Sequence, residues 1–345
     1  MLALKVNKKQ AEKARHYLEV HAQLSTKHKI YGDNSFIYLP IGPSADDKTA
    51  RAAAKKLGAS LVEKGFEKLR ERSAYRQILA KELGEKYAEV TKSYDLIGNI
   101  ALIDAEGSAA KKIASAIMQT NRNIQTVISK GGAVKGRYRT RSYRHVAGKR
   151  NFVATYKENG AVLKFDIRKT FFSSRLAYDR LRIAKLVKDN ENVLVMFAGM
   201  GPFAIEIGIM HKGANVVGIE LNRSAYGYMR QNITLNRLKN VTAEVGDVKK
   251  AVAKYRGFAD RIVMPLPKDA YDFLGSALTA AKRRCIIHYY GFGGKDSAYS
   301  EHEQKVRRFF ESKGVKVKVI GRREVRKYSP AEIEVVIDFQ ISKPR

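Results

Sequence analysis

An α/β fold built on a parallel sheet is predicted for the second half of the chain, and three observations carry that prediction. The run Asn192-Val-Leu-Val-Met-Phe-Ala-Gly-Met-Gly-Pro-Phe-Ala-Ile-Glu-Ile-Gly208 opens as an apolar strand, turns at Gly199 and Gly201, and continues with helical spacing. Asn215-Val-Val-Gly-Ile-Glu220 is a second apolar strand, ending on a carboxylate 21 positions beyond Gly199. Val241-Thr-Ala-Glu-Val-Gly-Asp247 ends on another acid, as a third parallel strand would. Glycines at a strand-to-helix turn let the backbone approach a ligand with no Cβ in the way. An acid about 20 residues further on is placed for ribose hydroxyls. Ala204 stands where a dinucleotide fingerprint has its third glycine, and no pyrophosphate cradle is evident. The pattern therefore favours S-adenosylmethionine over a dinucleotide.

Composition narrows the partner. The chain has 345 residues, more than one average domain, so two or three are expected. Its 66 Lys and Arg against 34 Asp and Glu give a formal net charge of +32, which points to a polyanion. A membrane surface is the competing partner, but no long apolar run or lipidation signal supports it. Met1-Leu-Ala-Leu-Lys-Val-Asn7 turns polar too soon for a signal peptide. The single cysteine, Cys285, excludes an intrachain disulfide and a cysteine cluster for metal, so no metal is expected. It lies in the apolar stretch Arg284-Cys-Ile-Ile-His288 and is expected to be buried and inert. Together these features fit a cytoplasmic enzyme that acts on nucleic acid, and a monomer is expected.

In chain order, residues 1 to about 43 read as a small β-α-β piece, from the strand Leu2-Ala-Leu-Lys-Val6 to Phe36-Ile-Tyr-Leu-Pro40. The polar connector Gly42-Pro-Ser-Ala-Asp-Asp-Lys48 follows, and Lys-rich helical sequence is expected from about Thr49 to Glu89. Tyr94-Asp-Leu-Ile-Gly-Asn-Ile-Ala-Leu-Ile103 reads as a strand pair, followed by a helix near Ala109 to Gln119 and a strand from Thr126 to Ser129. Between Lys130 and Arg150 there are eight Lys or Arg and no acid, with Tyr138, Tyr143 and His145 interleaved. Arg137, Arg139 and Arg141 alternate and would share one face of a strand. Such a strand protects a sheet edge with charge or, with aromatics between the cations, contacts RNA. Arg137, Arg141 and Arg144 are the candidate RNA-binding residues. Phe152 to Phe165 reads as a hairpin turning at Glu158-Asn-Gly160. The loop and helix Phe171-Phe-Ser-Ser-Arg-Leu-Ala-Tyr-Asp-Arg-Leu-Arg182 then lead into the sheet. Beyond it come the strand Arg261–Met264, a helix over Ala270–Ala281, the strand Arg284–Tyr290, a helix over Glu301–Lys313, and two closing strands. The organisation expected is a small N-terminal domain over 1–60, a mixed α+β middle domain over 61–165, and a Rossmann-like domain over 166–345.

These motifs, taken together, resemble the archaeal and eukaryotic tRNA (guanine-N1)-methyltransferases that act at position 37, beside the anticodon. The resemblance covers nearly the whole chain. Its carriers are Ala3-Leu-Lys-Val6, Tyr94-Asp-Leu-Ile-Gly-Asn-Ile-Ala101, Lys130-Gly-Gly-Ala-Val134 and His145-Val-Ala-Gly148. They continue through Phe172-Ser-Ser-Arg-Leu-Ala177, Met196-Phe-Ala-Gly-Met-Gly-Pro-Phe203 and Ile287-His-Tyr-Tyr290. The resemblance implies a class I, S-adenosylmethionine-dependent methyltransferase domain, a middle domain, a small domain that grips tRNA, and tRNA as partner.

Guanine N1 carries a proton, so methylation there needs a base and a cationic partner for the developing charge on O6. The resemblance places the base at Asp179, Arg175 and Arg139 at the oxygen, and Arg180 beside the cofactor. It gives cofactor roles to Phe197, Gly199 and Gly201, to Glu220 with Leu221, to Asp247 with Val248, and to Pro265. Three positions depart from the family pattern. Asp179 stands for the usual Glu, Val195 for the acid that ends the first strand, and Pro265-Leu-Pro267 for Asn-Leu-Pro. On spacing alone, Asp179 reads as a surface i,i+3 partner of Arg182. Two other functions remain open at this point. One is a wyosine-pathway transferase that moves a methyl or aminocarboxypropyl group to a tricyclic guanine derivative at the same position. The other is a non-catalytic basic tRNA-binding protein.

Overall fold

The structure, a computed structural model, describes residues 1–21, 23–25, 27–43, 45–67, 74–84, 89–91, 93–136 and 140–344. It divides into two compact units, Met1–Lys92 and Ser93–Arg345. Among the described residues no helix is long and apolar enough to cross a membrane, and no three His, Cys, Asp or Glu side chains are grouped to hold a metal ion.

The first unit contains β1 (Leu2–Asn7), α1 (Ala11–Val20), β2 (Tyr31–Gly32), β3 (Phe36–Pro40), α2 (Asp47–Leu57), β4 (Ser60–Glu63) and α3 (Ala74–Leu83). Its antiparallel sheet runs β2-β3-β1-β4. Alternate residues of β1, Leu4 and Val6, join Ala14 and Leu18 of α1 and Ala50 and Ala53 of α2 in one small core. The expected β-α-β start is present. The helical sequence expected from about Thr49 to Glu89 is interrupted by a strand. Gly58 stops α2 with a left-handed φ of 59°, and its N–H caps the Ala54 and Lys55 carbonyls. The chain then returns as β4 and pairs Leu61 with Leu4. The strand is short and flanked by charges, so nothing in its local pattern separates it from the helices around it.

The second unit begins with β5 (Asp95–Ile97), β6 (Ile100–Ile103), α4 (Gly107–Thr120), β7 (Thr126–Lys135) and β8 (Thr140–Gly148), whose strands form a sheet in that order. A hairpin of β9 (Val153–Glu158) and β10 (Ala161–Asp166) follows. It turns through Asn159 and Gly160 at φ 48° and 83°, as an Asn-Gly turn matched to strand twist requires. After a 3-10 turn at Ser174–Leu176 come α5 (Ala177–Leu186), β11 (Asn192–Met196), α6 (Pro202–Met210), β12 (Asn215–Glu220), α7 (Arg223–Leu235) and β13 (Val241–Val245). The chain ends with α8 (Val248–Ala251), β14 (Ala259–Met264), α9 (Leu274–Ala280), β15 (Ala281–Gly294), α10 (Ala298–Glu311), β16 (Lys316–Lys327) and β17 (Glu332–Ser342).

The large sheet runs β13-β12-β11-β14-β15-β17-β16. Strands β13 to β15 are parallel, and β17 is antiparallel to both of its neighbours. This is the Rossmann-like methyltransferase architecture expected from the sequence. Side chains alternate across the sheet. Val193, Val195, Val216, Val263 and Tyr290 pack on the side of α5, α6 and the hairpin, whereas Leu194, Met196, Ile219, Ile262 and Tyr289 share the opposite core with α9 and α10. Strand order reverses between β11 and β14, and the crevice beyond their C-terminal ends is where such sheets bind ligands.

Two features lock the preceding elements onto this sheet. Asn232 of α7 accepts the Lys164 N–H at 2.7 Å, and Asn236, one turn later, accepts the Val162 N–H at 2.8 Å. The hairpin is thereby tied to α7 by its backbone. At the β5–β6 turn, Gly98 (φ 58°) lies so close to β9 that a Cβ would sit 1.9 Å from the Thr155 carbonyl oxygen, and Asn99 Oδ1 accepts the Thr155 N–H at 2.9 Å. The Gly-Asn pair in Tyr94-Asp-Leu-Ile-Gly-Asn thus has a physical reason: it brings two backbones into contact.

Candidate cofactor and acceptor site

The switch point is built by three strand ends. After β11 the chain turns through Phe197, Gly199 and Gly201 at φ 56°, 59° and 91°. A positive φ at a phenylalanine is a strained backbone that surroundings must hold. Here the ring sits edge-on to Phe273 at 4.7 Å. Nothing lies within 4 Å of a Cβ placed on Gly199, whereas one on Gly201 would meet Met229 Cγ at 2.8 Å. Gly199 therefore borders open space, and Gly201 is required by packing. The sequence-predicted residues converge: Glu220, at the end of β12, accepts the Gly199 N–H on Oε2 and the Asn222 N–H on Oε1, both at 2.7 Å. Burial raises the Glu220 carboxyl above its usual range, against those backbone donors, which lower it. With backbone donors at Gly199, Leu221 and Asn222, the carboxylate still keeps a lone pair that can accept a ribose hydroxyl.

Asp247 ends the next strand and caps α8, accepting the Lys249 N–H at 2.9 Å, with Val248 buried behind it. Leu221 is half-buried beside Glu220. Pro265 follows β14, where Leu266 donates its N–H to the Met264 carbonyl at 2.8 Å. An open glycine edge, the Glu220 carboxylate and a helix-capping acid at the third strand end fit an adenosine-bearing cofactor. Phe197, Gly199, Glu220, Leu221, Asp247 and Pro265 are the residues that would hold it.

Asp179, in the first turn of α5, is only 3 % exposed. It does pair with Arg182, Nε to Oδ1 at 2.7 Å, but Asp179 is buried and Arg182 half-buried, which corrects the surface reading from spacing alone. Its Oδ2 accepts the hydroxyl of Tyr290 on β15. Arg182 also donates from Nη1 to Asp338 Oδ2 at 2.8 Å, and Asp338 Oδ1 accepts from His288 Nδ1 at 2.6 Å. Arg261 Nη1 donates to His288 Nε2 at 2.9 Å and pairs through Nε with Glu191 at 2.7 Å. Because arginine only donates, His288 Nε2 must accept, which leaves the proton on Nδ1 and the ring neutral. Burial pulls the imidazole below its usual range in the same direction. Burial would push the Asp338 carboxyl up, but the bonds from His288 and Arg182 outweigh it and hold it well below.

Arg180, one residue on, is 1 % exposed. Its guanidinium is taken by Glu158, by the Ser173 carbonyl at 3.2 Å and by Glu206 at 3.3 Å, with the Phe172 ring 5.0 Å away. It is expected beside the cofactor, but its contacts are with these protein groups. Arg175 is different. Its side chain is 67 % exposed, and it lies 3.6 Å from Asp95, which also pairs with Lys130 at 2.8 Å. Arg144 is exposed with a loose 3.6 Å contact to Glu106, and Arg141 is half-buried on β8. Arg137 and Arg139 lie outside the described residues.

Residues 154–320 match the family model described as the TRM5/TYW2 methyltransferase domain. Residues 75–151 match a TYW2 N-terminal domain and residues 3–49 a tRNA methyltransferase 5 N-terminal domain. The chain is 36 % identical over 345 residues to the tRNA (guanine(37)-N(1))-methyltransferase Trm5b of Pyrococcus abyssi, covering 99 % of each. It aligns with the crystal structure of that protein at a TM-score of 0.71, at 35 % identity over 99 % of each chain. The chain belongs to the family of tRNA (guanine-N1)-methyltransferases acting at position 37. Another similar structure, that of Methanocaldococcus jannaschii Trm5 in complex with adenosine, covers 100 % of both chains at 28 % identity and a TM-score of 0.64. A complex of an archaeal-type Trm5 with tRNALeu aligns at a TM-score of 0.67 and 30 % identity, over 99 % of each chain.

Within this tRNA methyltransferase, the departures have visible surroundings. Val195 is fully buried and pairs with Val263 across β14, so packing stands where the acid was expected. Cys285 is buried and burial pushes its thiol up, consistent with an inert role. Sequence reasoning missed Tyr290, Asp338 and Asp95 as partners of the expected residues. Tyr290 and Asp95 lie inside quoted motifs, but no local spacing links them to Asp179 or Arg175. Asn222 was findable, because Asn before Arg-Ser-Ala marks a helix N-cap, and it caps α7 from Ser224 N–H at 3.0 Å.

Proposed function

We propose that the chain is an S-adenosylmethionine-dependent enzyme that methylates N1 of guanine at position 37 of tRNA, with Asp179 as the base. The observation that carries the activity is the end-to-end similarity to a tRNA (guanine(37)-N(1))-methyltransferase, together with a glycine turn closed by Glu220. The cofactor supplies an electrophilic methyl group. Glu220 accepts the ribose hydroxyls, and Asp247, Val248 and Leu221 border the adenine. The backbone after Pro265 accepts hydrogen bonds beside the acceptor base. Asp179 takes the N1 proton as the methyl group arrives, and Arg175 with Arg139 neutralises the charge that grows on O6. Arg180 enters this reading as the cation that fastens α5 to the hairpin near the cofactor turn. Arg137, Arg141 and Arg144 contact RNA phosphates. Functionally the chain divides into a tRNA-gripping part over 1–60, an RNA-binding middle part over 61–165 and a methyltransferase over 166–345, working as a cytoplasmic monomer.

The test is incubation of unmodified tRNA carrying guanosine 37 with the protein and S-adenosylmethionine, followed by nuclease digestion and mass spectrometry. 1-Methylguanosine at position 37 is expected. Modification only of tRNA that already carries the tricyclic base would move the enzyme to the wyosine branch. Asp179→Ala is expected to slow transfer by about 10²–10⁴ while cofactor affinity holds.

A further inference from the structure

The Asp179 carboxylate is fixed from two directions. Arg182 Nε donates to Oδ1 from within the same helix, and Tyr290 donates its hydroxyl to Oδ2 from across the sheet. A carboxylate offers about four lone-pair sites on its two oxygens, so these two donors leave one on each oxygen and decide which one. Aspartate reaches from α5 by a single methylene. Its carboxylate can turn about the Cβ–Cγ bond, a broad torsion, but cannot extend. The Tyr290 hydroxyl stops that rotation.

Tyr290 is itself immobile. Its side chain is buried, and its ring stands edge-on to Phe203 at 6.1 Å and 71°. Burial, and then the charge of Asp179, push the phenol well above its usual range, so the hydroxyl is a donor at neutral pH. Arg182 is braced in turn. Its second arm binds Asp338 on β17, which His288 on β15 and Arg261 on β14 hold in place. Groups from β14, β15 and β17 thus brace the Arg182 side chain that, with Tyr290, holds the Asp179 carboxylate.

We propose that Tyr290 is a positioning residue for methyl transfer, its hydroxyl setting the plane of the Asp179 carboxylate so that a free lone pair meets the N1–H of guanine. This rests on the reading of Asp179 as the base. Tyr290 acts through Asp179, whose carboxylate its hydroxyl holds.

A double-mutant cycle on the full-length protein tests it, with single-turnover methylation of tRNA carrying guanosine 37. Tyr290→Phe is expected to slow transfer about tenfold, with unchanged affinity for S-adenosylmethionine and tRNA, because a misdirected base loses its near-attack geometry. In an Asp179→Ala background the same change is expected to cost less than about twofold, since the two residues act as one unit. A native rate for Tyr290→Phe overturns the proposal. An equal loss in both backgrounds also overturns it and assigns Tyr290 a purely structural role. A native rate for Asp179→Ala alone is a separate result, which removes the base assignment and the proposal with it. Asp179→Asn, similar in shape, is run in parallel with thermal midpoints, so that an unfolded Asp179→Ala does not interrupt the cycle.

Discussion

Arg180 and Glu158 form a buried fork between α5 and the β9–β10 hairpin, Nε 2.5 Å from Oε1 and Nη2 2.7 Å from Oε2. Glu206 of α6 brings a second carboxylate to 3.3 Å from the same Nε, and Asn159 Nδ2 donates to its other oxygen at 2.8 Å. Two acids share one guanidinium away from water. Burial, and then Glu158, raise the Glu206 carboxyl well above the ordinary range, so the neutral acid is favoured there.

This arrangement predicts a loss of stability as pH rises from the ordinary glutamate range towards about 8. Glu206 holds its proton more tightly folded than unfolded, so the native state binds more protons between the ordinary glutamate range and the raised folded value. Stability fully present below the ordinary glutamate range therefore declines as pH rises through that interval, by at most about 1.4 kcal/mol per unit. Denaturant titrations across pH are expected to show this decline for the native sequence and a flatter profile for Glu206→Gln. Parallel profiles for the two proteins would remove Glu206 as the cause.

Gly98 should not tolerate a side chain. At φ 58°, and with the Thr155 carbonyl oxygen 1.9 Å from a built Cβ, Gly98→Ala must displace β9 from β5. A loss of about 2 kcal/mol or more is expected, which lowers the thermal midpoint by about 4–8 °C. An unchanged melting curve would show that the two backbones separate at no cost.

Asn232 is fully buried, with its amide serving the Lys164 N–H and, at 3.1 Å, the Met200 carbonyl. Asn232→Ala orphans both groups and is expected to cost about 2–4 kcal/mol. Asn232→Asp keeps the acceptor but turns a charge toward the Met200 carbonyl, so it should fare no better. Chemical denaturation of either variant checks this, and near-native stability would mean that water replaces the amide.

Glu220 carries the cofactor assignment. Glu220→Ala removes the proposed acceptor for ribose and also frees the Gly199 N–H. Calorimetric titration with S-adenosylmethionine is expected to show affinity falling by about 10²-fold or more. Equal binding by the variant would rule out the ribose role.

The nucleotide-binding half was legible because its signals are local. A buried parallel strand reads as an apolar run, and Gly199, Gly201, Glu220 and Asp247 mark where such runs end. The acceptor side was less so. Asp179 meets Tyr290 across 111 positions, and Arg182 meets Asp338 across 156, so no local periodicity could pair them. Spacing did suggest the Asp179–Arg182 contact, yet it could not reveal that β15 and β17 bury it. The strand β4 escaped for a related reason. Four residues flanked by charges say little until β1 offers them an edge.

Every hydrogen bond in the array from Tyr290 to Glu191 aims its proton at a carboxylate or at His288 Nε2. A row of such bonds conducts protons only if each member can hand one on as it receives another. Arg182 and Arg261 do not surrender theirs. The array is accordingly an insulator, interrupted in two places. A proton placed on Asp179 would find no route through the sheet along this array.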